Sequence, residues 1–277
     1  MRFTKMHGLG NDYLFINCFD QTVDNPESLS IDMSERHTGV GADGIILVLP
    51  SDDHEFRMRI FNADGSEGET CGNGIRCFAK YVYDHGLTDK TEFVISTLAG
   101  PNRVWLDVHN GTVRTVRSNM GQPEFERARI PMEGPPGEVI EERLEVGDSL
   151  YSVTCVSMGN PHTIIFVDDA DAVPLDRDGP PIETHPVFPN RTNVEFVEII
   201  DRSNIKVRVW ERGSGITLAC GSGTCASAVA AMRTGRTDRL VTAHLELGTL
   251  EIEWADDDCV YMTGPAAEVF DGLWPDK

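Results

Sequence analysis

The chain has 277 residues, 40% of them hydrophobic, with a formal net charge of −21 at neutral pH. That length suits one large domain or two ordinary ones, each with its own core. The acidity excludes a nucleic-acid or anionic-membrane surface, which would need a basic patch, and points to a small-molecule partner.

In chain order, Met1–Lys5 carry no apolar signal core. The longest apolar runs, such as Ile45–Leu49 and Ala228–Met232, are too short to span a bilayer, so a soluble, cytoplasmic protein is expected. Phe3–Met6 and Leu14–Ile16 predict strands flanking the loop Gly8-Leu9-Gly10-Asn11-Asp12, and Ile45–Leu49 and Phe56–Phe61 continue the β character. Gly39-Val40-Gly41-Ala42-Asp43-Gly44 matches the dinucleotide pattern G-x-G-x-x-G. A strand follows it where that fingerprint needs a helix, so it reads as a glycine-rich turn. After Cys71, the spacing of Ile75, Phe78, Ala79 and Val82 predicts a helix that stops at Gly86. Phe93–Ser96, Arg103–Val108 and Val113–Val116 read as strands closing the first half, and Pro131–Gly137 as a surface loop. No charged residue occurs from Gly213 to Met232, so the helix following Cys220 is expected to be buried on nearly every side. The pattern predicts an α+β fold of two domains, 1–118 with the tail 264–277 packed on it, and 119–263. Each is a mixed sheet wrapped around a central helix, and the two are expected to face each other across a cleft.

Cys71-Gly72-Asn73-Gly74 and Cys220-Gly221-Ser222-Gly223 share the pattern Cys-Gly-x-Gly, and each opens a helical run. The match is part of a repeat at an offset of about 149 residues. Gly10-Asn11 falls on Gly159-Asn160, Arg59 on Arg208, Cys71 on Cys220, Gly74 on Gly223 and Trp105 on Trp254. A helix N-terminus lowers a thiol's pKa, so each cysteine is expected to serve as a base near neutrality, and two matched cysteines suggest proton transfer from two sides. Seven cysteines without a secretory signal read as free thiols in a reducing compartment; Cys18, Cys77, Cys155, Cys225 and Cys259 read as structural. Zinc is disfavoured because the gaps Cys71–Cys77 and Cys220–Cys225 are too wide and C-x-x-C is absent. No P-loop, nucleophile elbow or pyridoxal-type lysine motif occurs, so the expected chemistry uses neither metal nor cofactor.

Six blocks in order resemble the diaminopimelate epimerase family. They are Met6–Asp12, Phe61–Ser66, Cys71–Cys77, Met158–His162, Glu211–Gly213 and Ala219–Gly223. The resemblance spans nearly the whole chain. It implies cofactor-independent epimerisation of L,L- to meso-2,6-diaminopimelate, in lysine and peptidoglycan precursor synthesis, by a homodimer. Cys71 and Cys220 are then the thiolate base and thiol acid, and His162 and Glu211 modulate their pKa values. The amides of Gly72, Asn73, Gly221 and Ser222 bind the α-carboxylate, while Asn11, Asn62, Asn160, Asn193, Glu211 and Arg212 recognise the rest of the substrate. Gly44 departs from the family, many of whose members carry a substrate-contacting glutamine there; only backbone is available for contact. Two other readings stay open: a proline racemase-like enzyme sharing both cysteines, and a redox-sensing binding protein in which they form a reversible disulfide.

Overall fold

The computed structural model describes residues 1–275; Asp276 and Lys277, the end of the tail assigned above to the first domain, lie outside the described residues. The chain divides into two compact units. One runs from Met1 to Asn119 and resumes at Thr263; the other runs from Met120 to Met262. Among the described residues no helix is long and apolar enough to cross a membrane.

The first unit contains β1 (Arg2–Gly8), β2 (Asn11–Asn17), α1 (Pro26–Ser34), β3 (Gly44–Leu49), β4 (Phe56–Asn62), β5 (Glu67–Gly68), α2 (Gly72–Asp84), β6 (Glu92–Thr97), β7 (Gly100–His109), β8 (Thr112–Asn119) and the returning β18 (Ala267–Leu273). Strands β18, β1 and β2 pair antiparallel, β2 and β3 parallel, β3 and β4 antiparallel, β4 and β6 parallel, and β6, β7 and β8 antiparallel. Strand β3, Gly-Ile-Ile-Leu-Val-Leu, is buried along almost its whole length, as an apolar run covered on both faces must be. Ile46 and Val48 join the core around α2, while Ile45 and Leu47 join a second core containing Met33 of α1.

The second unit contains β9 (Glu142–Val146), β10 (Ser149–Ser157), β11 (Pro161–Val167), α3 (Leu175–Glu183), β12 (Asn193–Asp201), β13 (Asn204–Glu211), β14 (Gly215–Ile216), α4 (Gly221–Arg233), β15 (Leu240–Leu245) and β16 (Gly248–Trp254); β17 (Val260–Gly264) runs across the boundary. The pairing senses repeat those of the first unit. Strands β9, β10 and β11 are antiparallel, β11 and β12 parallel, β12 and β13 antiparallel, β13 and β15 parallel, and β15 and β16 antiparallel.

The repeat extends to strand register. Tyr13 lies opposite Gly44 and Ile45 opposite Phe61; His162 lies opposite Asn193 and Val194 opposite Trp210, each residue 149 positions after its counterpart. Helices α3 and α4 begin the same distance after α1 and α2. The fold is thus α+β and built from two pseudo-symmetric units. Helix α4 is buried from Thr224 through Ala231, as its lack of charge predicts, and α2 gives way at Gly86, which takes a positive φ of 70°.

Helices α1 and α3 were not among the predicted elements. Each is only nine residues long, and α3 carries Pro180 and Pro181 within it. The legible signal for α1 was Asn25-Pro26: Asn25 caps the helix by accepting from Ser28 N at 3.0 Å, with proline in the first turn.

Candidate active site

Each unit places a cysteine at the N-cap of its central helix. In the first, Cys71 has extended backbone angles, and its Sγ accepts from Gly74 N at 3.4 Å, standing where a serine or aspartate usually caps. The Cys71 thiol donates to Asn11 Oδ1 at 3.3 Å, which also accepts from Asn73 Nδ2 at 3.2 Å. The other end of the Asn11 amide is fixed: its Nδ2 donates to Asp43 Oδ2 at 2.8 Å, and Asp12 N donates to the same oxygen at 3.1 Å. Below the helix start, fully buried Arg76 donates to Asn73 Oδ1 at 2.8 Å and to Gly72 O at 3.4 Å, holding the first turn of α2. Burial, and next the adjacent Cys71, push the Tyr13 phenol well above its ordinary range, so it is a neutral neighbour of the thiol.

Asn62, at the end of β4, donates through Nδ2 to Ser66 Oγ at 3.0 Å within a tight turn. Gly44 lies opposite Asn62, and a Cβ there would stand 2.1 Å from Phe61 O. A side chain there would require the backbone of β3 or β4 to shift.

In the second unit, Cys220 caps α4, is buried, and lies 3.6 Å from Ser222 Oγ. Its pKa corrects the expectation of a lowered value. Burial pushes the thiol well above its ordinary range, and the Glu211 and Glu195 carboxyls add to this; Ser222 and the Gly223 N–H act in the opposite direction and are outweighed. A helix N-terminus contributes a partial charge, whereas desolvation and two acidic neighbours act on the full charge of a thiolate. Cys220 is held as a thiol.

Both ring nitrogens of fully buried His162 are engaged within its unit: Nδ1 is 2.7 Å from Glu195 Oε1, and Nε2 is 3.0 Å from Asn160 Oδ1. Asn193 spends both ends of its amide on backbone, donating from Nδ2 to Pro161 O at 2.8 Å and accepting from Arg212 N at 2.8 Å. Glu211 accepts from Thr217 Oγ1 at 2.9 Å, and Glu183 accepts from Gly213 N at 3.0 Å and Trp210 Nε1 at 2.7 Å. These bonds fasten the turn that presents Arg212, whose exposed guanidinium donates to Asn190 O at 3.1 Å and forms no ion pair among the described residues.

The first unit therefore gathers Asn11, Cys71, Gly72 and Asn73 around one helix start, and the second gathers Asn160, His162, Asn193, Glu211, Arg212, Cys220, Gly221 and Ser222. Each grouping joins a potential proton carrier to the backbone amides of a helix N-terminus, a setting that favours an anion.

A family model described as diaminopimelate epimerase matches residues 3–126 and 154–269. A diaminopimelate epimerase of Pelotomaculum thermopropionicum is 55% identical over 278 residues, with 99% of each chain covered. This chain belongs to the diaminopimelate epimerase family. Another member, from Methanococcus maripaludis, is 49% identical over 98% of this chain and 99% of its own. The family's members are named as epimerases, so the chain is an isomerase by class. Among solved structures, a PhzF-family phenazine biosynthesis protein of Bacillus anthracis superposes with a TM-score of 0.69 at 16% identity, covering 98% of both chains. A hydroxyproline epimerase of Agrobacterium vitis superposes with a TM-score of 0.68 at 13% identity, covering 98% of this chain and 90% of its own. These two likenesses speak to the fold alone.

Sequence reasoning missed four residues that the structure places around these two helix starts: Tyr13, Asp43, Arg76 and Glu195. Two had signals in the repeat. Tyr13 falls on His162, and Glu195 is a carboxylate in the apolar strand Val194-Glu195-Phe196-Val197 where its counterpart is Ile46. Asp43 lay inside the discarded glycine motif, and Arg76 inside the block Cys71–Cys77 with no role assigned to it.

Proposed function

We propose that the chain interconverts L,L- and meso-2,6-diaminopimelate without a cofactor, as a cytoplasmic homodimer supplying lysine and peptidoglycan precursors. One observation carries this reading: two cysteines at symmetry-equivalent helix N-caps, each followed directly by the first-turn backbone amides of its helix. A reaction that inverts a carbon needs a base on one face and an acid on the other, and it needs help for charge arriving on the α-carboxylate.

In the proposed mechanism the thiolate of one cysteine takes the α-proton, and the C–H electron pair delocalises into the carboxylate. The amides of Gly72, Asn73, Gly221 and Ser222 receive that carboxylate, because helix N-termini favour the growing negative charge. The thiol of the other cysteine delivers its proton to the opposite face. The first cysteine leaves as thiol and the second as thiolate, so the reverse reaction runs with roles exchanged.

Arg212 is assigned to the distal carboxylate as a two-pronged donor, with Asn62 and Asn160 recognising the remaining polar groups; Asn193 acts through the Arg212 backbone that it holds. The test is proton exchange by NMR. Reduced protein incubated with L,L-diaminopimelate in D2O should place deuterium at the inverted centre and yield meso product, and Cys71→Ser or Cys220→Ser should abolish both. Absence of exchange with diaminopimelate, together with exchange on proline, would reassign the substrate. Ligand binding without exchange on any amino acid under reducing conditions would overturn catalysis.

A further inference from the structure

One group in the second unit is not used by this reaction: a carboxyl sealed beneath α4. Glu195 on β12 and His162 on β11 both lack solvent exposure. Glu195 Oε1 lies 2.7 Å from His162 Nδ1, while Oε2 has no hydrogen-bond partner among the described residues. A Cβ built on Gly223 would stand 2.5 Å from Oε1, so the carboxyl is pressed against the first turn of the helix that Cys220 caps. The titratable groups acting on it or acted on by it are His162 from β11, Glu211 from β13, Cys220 at the head of α4 and Cys155 from β10.

The protons of this pair can be placed from geometry. His162 Nε2 is 3.0 Å from Asn160 Oδ1, an acceptor, so Nε2 carries a hydrogen. A contact of 2.7 Å between Oε1 and Nδ1 also requires a proton between them. With one proton there and one on Nε2, the pair is neutral overall. A bare carboxylate beside a neutral Nδ1–H histidine would instead leave a net buried charge with an unpartnered oxygen, next to Glu211. Burial, which raises the Glu195 pKa and is opposed by His162, acts in the same direction as this geometry.

We propose that Glu195 is a positioning residue: by sharing one proton with His162 Nδ1 it keeps the other on Nε2, and that N–H pins the Asn160 amide oxygen inward with Nδ2 facing the ligand. The equivalent asparagine of the first unit is set the opposite way. Asp43 takes the Asn11 Nδ2, and the Asn11 oxygen faces Cys71 and Asn73. The two asparagines of the repeat are thus oriented oppositely, and within the second unit Asn160 Nδ2 is a donor suited to a carboxylate; this last step rests on the epimerase reading.

The test uses the ligand-free full chain labelled with 15N-histidine, with the His162 signals assigned by their loss in His162→Gln. In the wild type Nε2 should stay protonated from pH 6 to 8.5. Glu195→Leu should release this constraint and give exchanging tautomers. Glu195→Gln, whose amide N–H donates to Nδ1, should restore the wild-type spectrum. With diaminopimelate, KM should rise about tenfold in Glu195→Leu, the effect of one lost orienting hydrogen bond, and stay within about threefold in Glu195→Gln. A wild-type His162 with bare Nε2, an unchanged spectrum in Glu195→Leu, or a Gln variant that behaves like the Leu variant would each overturn the proposal. The spectra stand whether or not diaminopimelate is turned over, so failure of the epimerase reading is seen separately.

Discussion

Gly74 and Gly223 occupy the same place in the two repeats, yet an alanine at each should have very different consequences. At Gly74 the new Cβ would meet Ile46 Cδ1 at 2.8 Å, the tip of a flexible side chain that yields by rotating. At Gly223 it would meet Glu195 Oε1 at 2.5 Å and Cys220 Sγ at 3.3 Å. Restoring ordinary contact means moving the carboxyl by roughly 1 Å, away from a 2.7 Å hydrogen bond between two side chains without solvent exposure. Overpacking costs about 1–3 kcal/mol and a lost hydrogen bond to an ionisable partner about 1.5–3 kcal/mol, so Gly223→Ala should cost roughly 3–5 kcal/mol. For Gly74→Ala, better helix propensity, worth up to about 1 kcal/mol, offsets most of the strain. At roughly 2–4 °C per kcal/mol for a unit of this size, calorimetry should show a fall of roughly 6–20 °C in one variant and under about 4 °C in the other. Equal shifts would refute the claim that the Glu195 carboxyl is rigidly held.

Arg212→Ala should lower kcat/KM for diaminopimelate by about a hundredfold or more, mainly through KM, as expected for losing a two-pronged carboxylate contact; steady-state kinetics on L,L- and meso-substrate check this. Asn193→Ala removes both backbone anchors of a buried amide and should raise KM in the same direction while costing about 1–3 kcal/mol in urea unfolding. Alkylation of Cys220 by iodoacetamide, read by mass spectrometry, should accelerate with pH without a plateau through pH 9, and Glu211→Gln should shift that curve to lower pH. The sign for stability follows: a thiol whose folded pKa is raised contributes fully below the unfolded value of about 8.5, and that contribution fades as pH climbs toward the folded pKa. Cys77 and Cys155, both pushed up to about 12 by burial, should stay unlabelled over the same range in folded protein.

The parts of the fold legible in advance were those with long-range regularity. The repeat exposed the duplication, and the charge-free stretch after Gly213 exposed the buried helix, because both signals sum over many residues. Short helices such as α3 stayed hidden, since nine residues hold too little periodicity to outvote two prolines. In the site, the helix-capping cysteines were legible because the Cys-Gly-x-Gly motif and the helical run after it are neighbours in sequence, and the asparagines through the family resemblance. Glu195 and Asp43 were not, because their partners come from other strands and loops. The sign of the Cys220 pKa failed for the same reason: local logic saw the helix end, while the desolvation and the carboxyls of β12 and β13 come from tertiary packing.

The returning strand β18 pairs along β1, and the amino group of Met1 donates to Trp274 O at 2.8 Å while Trp274 N donates to Met1 O at 2.7 Å. During synthesis, β1 therefore leaves the ribosome some 260 residues before its neighbour. At roughly 5–20 residues per second, the wait is about 13–50 s, long compared with the folding of most small domains. The second unit, contiguous in the chain, reaches completion first, and the half translated earliest is the last to acquire its full sheet.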